Sequence, residues 1–153
     1  MNKLKLDGFT LIGLNLNKKT INEGGQSGID CGNLWQRFEQ GQWAERIPEK
    51  LGNEIYAVYY EYEGDHTNPF LYFIGCKVKS GTEVPASMES LVIPQGYYRK
   101  VTAKGPMPGC MVNAWKDIWL SDMDRAYRFD FEIYDERSKD WNHAEVDIFL
   151  SSD

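Results

Sequence analysis

The chain has 153 residues, 42% hydrophobic and 26% charged; this is the size and balance of one globular domain and excludes a disordered tail, a collagen-like chain or a coiled coil. Its longest apolar runs, such as Phe70–Cys76, fall far short of the ~20 residues that span a bilayer, and MNKLKLDGFTLIG meets a glycine too early for a signal peptide. Acidic residues outnumber basic ones 23 to 17, and no basic run exceeds Lys18-Lys19; direct nucleic-acid binding is not expected, because phosphate contacts supply most of such affinity.

Phe9–Leu16 (FTLIGLNL) predicts a first strand, followed by a Gly-rich loop, Asn22–Gly28. That loop lacks the Lys-Ser/Thr of a P-loop and the spacing of a dinucleotide fingerprint, and is read as a flexible segment at the mouth of a groove. A helix is predicted from about Asp30, as N-cap, to Ile47 before Pro48, with Leu34, Trp35 and Phe38 on one stripe. Glu54–Tyr62 and Phe70–Val78 read as an antiparallel hairpin. Lys79–Pro94, with Gly81, Pro85 and Pro94, reads as a linker. The order then repeats: a strand at Tyr97–Ala103, a Gly-Pro loop at 105–109, a helix from Cys110 to Leu120, and strands at Tyr127–Tyr134 and Ala144–Leu150.

Strand-helix-strand-strand, twice, predicts an α+β fold. It consists of one domain over 1–153 whose pseudo-twofold halves, about 3–79 and 80–153, carry antiparallel sheets around a central groove. Alternation puts Val146, Ile148 and Leu150 on one face of the last strand and Glu145, Asp147 and Phe149 on the other. In the preceding strand Asp130, Glu132 and Tyr134 alternate with Phe129, Phe131 and Ile133. The helix-free face is thus expected to collect carboxylates beside rings, a pattern that the solvent side of an antiparallel sheet also presents. Five Trp, nine Tyr and seven Phe exceed what one small core needs, so some are expected to line a pocket. Cys31, Cys76 and Cys110 form no C-x-x-C pair and read as buried thiols of a reducing cytoplasm. His66 and His143 read as surface loop residues; no metal or other cofactor is expected.

GYYRKVTAKGPMPG, AWKDIWL, FDFEIYDER and AEVDIFL, in that order, resemble the GyrI-like family, also called the AraC-type effector-binding domain. The resemblance rests on Gly105-Pro106, the pair Trp115 and Trp119, Phe131-Glu132-Ile133-Tyr134, and the acidic alternation from Glu145 to Leu150; IYAVYYEYEGD and FLYFIGCKV match more loosely. One departure is Ser151, where members commonly have Pro. The resemblance implies a stand-alone effector-binding domain whose groove takes lipophilic, often cationic compounds, in transcription regulation or drug sensing or sequestration. A partner regulator would then read its occupancy. It also implies an alternative, a small-molecule hydrolase using groove carboxylates and tyrosines.

A delocalised cation recovers lost hydration through aromatic faces and a carboxylate. The candidate ligand-binding residues are therefore Asp147, Glu145 and Glu132, flanked by Tyr134 and Phe149, with Tyr60, Tyr62 and Tyr72 from the first half. Trp35 is carried as a candidate although core packing is the commoner role of a helical Trp. Trp115, on its helix's apolar stripe, is assigned to the core.

Overall fold

The computed structural model describes residues 3–153. In chain order the elements are β1 (Lys3–Leu6), β2 (Phe9–Asn15), α1 (Gln26–Gln40), the single turn α2 (Trp43–Arg46), β3 (Ile55–Tyr60), β4 (Leu71–Val78), β5 (Glu89–Ile93), β6 (Gly96–Gly105), α3 (Gly109–Leu120), β7 (Asp130–Tyr134) and β8 (Ala144–Ser152). All eight strands join one antiparallel sheet ordered β1-β6-β8-β7-β3-β4-β2-β5. The strands of the predicted halves lie as β3-β4-β2 and β7-β8-β6, the same order in both. They meet at the β3–β7 seam.

Two strands lie outside the predicted six. β1 pairs with β6, and β5, inside the supposed linker, pairs with β2. Each half therefore contributes its leading strand to the far edge of the other. β5 is a five-residue edge strand with mostly exposed side chains, so it lacks the core alternation that marks a strand in sequence. Asp7-Gly8 joins β1 to β2, and Pro94-Gln95 joins β5 to β6. In a flat sheet β1 and β2 would lie about 29 Å apart, six steps of ~4.8 Å, whereas a two-residue connection spans at most ~11 Å. The sheet is therefore curled.

The register sorts the two faces. Leu14, Ile74, Ala57, Glu132, Ile148 and Val101 form one continuous cross-strand row. Both helices cover this face: Leu34 and Phe38 of α1 pack on Ile74 and Cys76, and Met111 and Ile118 of α3 pack on Ile148 and Leu150. On the opposite face Phe73, Val58, Phe131 and Phe149 form the parallel row, buried with Tyr98 and Ile93 although no helix covers them. The curl encloses this second core, and Phe9 of β2 reaches Phe131 of β7 at 5.5 Å between ring centroids.

Some local expectations are corrected. α1 starts at Gln26, not at Asp30, because Gly24 and Gly25 take left-handed φ of 64° and 75° and turn the chain into the helix. Asp30 is a buried helical residue whose carboxylate accepts from Thr20 (2.7 Å) and Gln26 (3.1 Å) instead of capping. The helix also stops at Gln40 rather than Ile47, with Gln42 left-handed before the single turn of α2. β7 starts at Asp130 rather than Tyr127, which has φ of 54°. None of the helices among the described residues is long and apolar enough to cross a membrane.

Candidate functional site

α1 packs over β2 and β4 and α3 over β6 and β8, leaving the helical face of the central β3–β7 seam uncovered. The gap is a cavity of about 350 Å³, a volume suited to a small ligand. Tyr59, Tyr72, Glu132 and Tyr134 form its floor. Gly28, Cys31 and Trp35 of α1 form one wall, and Met111, Trp115 and Trp119 of α3 the other. A wider cleft of about 990 Å³ adjoins it and shares Trp35, Pro108, Met111 and Tyr134, which act as a partition.

Glu132 is the one charged member of the cross-strand row and is 2% exposed. One carboxylate oxygen accepts from the Tyr59 hydroxyl (2.8 Å) and Trp115 Nε1 (2.7 Å); the other accepts from the Tyr134 hydroxyl (2.7 Å). Among the described residues no Lys, Arg or His forms an ion pair with it. Burial raises its pKa above the ordinary value, and the three hydrogen bonds offset only part of that rise. Burial and the neighbouring carboxylate push the Tyr59, Tyr72 and Tyr134 phenols well up, so all three stay protonated and able to donate. Trp35 Nε1 donates to the Tyr72 hydroxyl at 2.7 Å. Burial likewise pushes the Cys31 thiol up.

A second polar group closes one end. Arg125, 3% exposed, pairs with the fully buried Asp130 at 2.8 Å. The same Asp130 oxygen accepts from the Tyr62 hydroxyl (2.8 Å), and the other accepts from the Ser151 amide (2.7 Å) and hydroxyl (2.8 Å). The Arg125 guanidinium lies 4.2 Å from the Tyr127 ring centroid and 5.8 Å from that of Trp115. His66 stacks on Trp119 at 5.4 Å and an interplanar angle of 4°.

Of the sequence candidates, Glu132, Tyr134, Tyr72, Tyr62 and Trp35 line the cavity; Asp147, Glu145, Phe149 and Tyr60 do not. Glu132 opposes Ile148, whereas Asp147 opposes Ile133, so the two carboxylates occupy opposite faces. Asp147 is already satisfied by Arg137 (2.6 Å) and Thr102 (2.8 Å). Burial pushes its carboxyl up, but Arg137 and Thr102 outweigh that and hold it below the usual range. Glu145 pairs with Lys104 at 3.1 Å. Phe149 stacks on Phe131 (5.1 Å) and Tyr60 on Phe129 (5.7 Å) in the helix-free core. Alternation alone would put Tyr60 and Tyr62 on one face, but Glu61 takes φ of 49° and breaks it, so Tyr62 joins Tyr59 beside Phe70.

Tyr59, His66, Trp115 and Arg125 line the cavity without having been singled out for it. Trp115 bonds Glu132 rather than serving the core alone, and His66 belongs to the cavity rim rather than to a free surface loop. The i,i+4 pair Trp115 and Trp119 was the available signal, since two indoles on one helical stripe exceed what the small sheet beneath them can bury.

A pseudo-twofold curled sheet carrying two helices on one face, with an aromatic cavity between them, defines an effector-binding domain of the GyrI-like kind. The chain belongs to the Cass2 family of integron-associated effector binding proteins, which it matches over residues 4–151. It is 25% identical to the integron cassette protein VCH_CASS2 from the mobile metagenome of Vibrio cholerae, covering 98% of this chain and 94% of that one at a TM-score of 0.72. YobU of Bacillus subtilis, named as a candidate transcriptional regulator, is 26% identical over 122 residues, 77% of this chain and 76% of YobU. SAV2435, solved with tetraphenylphosphonium bound, shares the fold at a TM-score of 0.78 and 15% identity, covering 99% and 93% of the two chains.

Proposed function

We propose that this chain binds a lipophilic monocation in the cavity between α1 and α3, with Glu132 as the counter-charge. The observation that carries this reading is a buried carboxylate held by three neutral donors and, among the described residues, by no cationic side chain. Burying such a charge is unfavourable by itself. An arriving cation turns the cost into attraction, and the surrounding Trp and Tyr faces add cation–π contact. Arg125 does not supply the missing charge, because Asp130 neutralises it at 2.8 Å. Tetraphenylphosphonium in SAV2435, a protein of the same fold, supports the reading. We place the activity in the cytoplasm, in drug sensing or sequestration, with occupancy read by a separate transcription regulator; the name of YobU supports that role.

Calorimetric titration of wild type and Glu132→Gln with tetraphenylphosphonium and with neutral triphenylphosphine oxide tests this function. The substitution is expected to weaken the cation by about 2–5 kcal/mol, the usual loss on truncating one partner of a buried charge pair, and the neutral compound far less. Equal losses for both would assign Glu132 to shaping the cavity and would remove the basis of the proposal.

A further inference from the structure

We infer that the preferred ligand has two cationic heads: the lipophilic cation proposed above, in the cavity, and a quaternary ammonium group on a linker, in the adjoining cleft. The inference rests on the reading above for its first head. Cavity and cleft are the two ends of one groove between α1 and α3. A single stripe of α1 walls both: Gly28 and Cys31 face the cavity, Gly32 and Glu39 face the cleft, and Trp35 borders the two. That is the i, i+3, i+4 spacing of one helical face. Trp35 and Met111 narrow the middle, but the α1 side stays open. Gly28 and Gly32 lie inside the helix, about 6 Å apart along its axis, and a Cβ at either would meet nothing within 4 Å. Glycine weakens a helix interior relative to alanine, and neither packing nor a left-handed φ requires it at these two positions. What the pair provides is an open path past Trp35.

The cleft repeats the chemistry of the cavity, indole faces beside carboxylates. Trp141 lines it with Trp35; its side is 60% exposed, and its carbonyl accepts from the Met107 amide at 2.7 Å, which ties it to the cleft wall. Four carboxylates line the cleft against one lysine. Asp135 is held by Arg137 at 2.9 Å and Glu136 by Lys139 at 2.8 Å. Glu39 and Glu54 join no ion pair among the described residues. Glu39 stands one turn beyond Trp35 on the groove stripe, and the Glu54 carboxylate lies over Gly52, itself part of the cleft lining. Glu54 precedes by three residues Ala57, the register partner of Glu132, so the two poles are about 10 Å apart along the sheet. A quaternary ammonium in the cleft would meet aromatic faces and two uncompensated carboxylates. Both carboxylates are exposed, so their attraction is modest and screened by salt. A linker makes it count by holding the second head at high local concentration.

The probes are triphenylphosphonium cations whose alkyl chain, of about four, eight or twelve methylenes, ends in trimethylammonium or in its neutral isostere, tert-butyl; comparison at matched length isolates the second charge. Calorimetric titration of wild type at low salt should find a length at which the ammonium probe binds about fivefold to tenfold tighter than its isostere, a gain that shrinks in high salt. In the double variant Glu39→Gln/Glu54→Gln that ratio should fall to about one. In Glu132→Gln it should persist while both probes weaken. Gly32→Leu, which favours the helix and fills the open path, should weaken the best long probe more than methyltriphenylphosphonium. Binding without an ammonium gain at any length, or a gain that survives the double variant, would overturn the inference and leave the monocation reading standing. So would a Gly32→Leu variant that weakens long and short probes alike. A gain lost in the double variant, with both probes at full affinity in Glu132→Gln, would support the second head and overturn Glu132 as counter-charge to the first. Failure of every probe to bind would overturn both readings.

Discussion

Glu132 holds its proton to higher pH than a carboxyl in water, because burial penalises its charged form more than three hydrogen bonds restore. Between its ordinary value of 4.5 and its raised native value, the folded chain binds more protons at this residue than the unfolded chain does. The Glu132 contribution to stability therefore falls as pH rises through that interval. A permanent cation prefers the ionised form, so within the same interval it must expel the proton to bind. Affinity for tetraphenylphosphonium is expected to rise with pH across the interval and level off above it, with net proton release on binding. Calorimetry in two buffers of different ionisation heat measures both. In Glu132→Gln the affinity should be flat with pH, and the ligand-free variant should be at least as stable as wild type toward urea, since a buried charge has been removed. A pH-independent wild type would show that Glu132 is already ionised in the free protein.

At the scale of elements, the seam between β2 and β4 depends on two opposed glycines. Gly13 and Gly75 are register partners. A Cβ on Gly13 would sit 2.0 Å from the Ile74 carbonyl oxygen, and one on Gly75 would sit 2.4 Å from that of Ile12. Both obstacles are backbone, so neither can rotate away. Gly75→Ala is expected to cost at least ~1–3 kcal/mol, the range for overpacking, and urea denaturation measures it; an unchanged midpoint would mean that the strands separate freely there. Tyr72 lies on the same strand as Gly75, so the variant should also weaken ligand binding. The hairpin of β3 and β4 was legible because its apolar, aromatic runs are unmistakable. The start of α1 was not, since Asp30 looks like a cap and its carboxylate is instead taken by Thr20, ten residues earlier.

The whole molecule is held by three seams between the halves: β3 with β7, β1 with β6, and β5 with β2. Neither half keeps its edges paired without the other, and unpaired edges invite aggregation rather than folding. Chains divided between Ser80 and Gly81, in an exposed turn, are expected to lack a cooperative urea transition when purified separately and to recover it when mixed. Circular dichroism and size exclusion follow both states. A cooperative transition in either fragment alone would mean that the halves are independent domains, against the expectation of one domain over the chain. The swapped leading strands that make this prediction differ from the two separate three-stranded sheets that periodicity suggested. Short edge strands with exposed side chains carry no core signal.

Local periodicity, turn residues and the ordered aromatic and acidic motifs were enough to determine the repeat, the α+β class, the effector-binding resemblance and Glu132 as a candidate. Alternation also sorted the last two strands correctly within themselves: Val146, Ile148 and Leu150 do share a face, as do Glu132 and Tyr134. Only the tertiary structure decided which face of β7 continues which face of β8. Period-two alternation is a property of one strand, whereas register is set between strands, and a slip of one residue exchanges the faces. The pairing of Glu132 with Ile148 carried Glu132 under the helices and left Asp147 and Glu145 on the far side with their own Arg and Lys partners. Arg125 entered the site by folding as well, because no spacing in the chain announces a loop arginine that a buried aspartate holds against an indole.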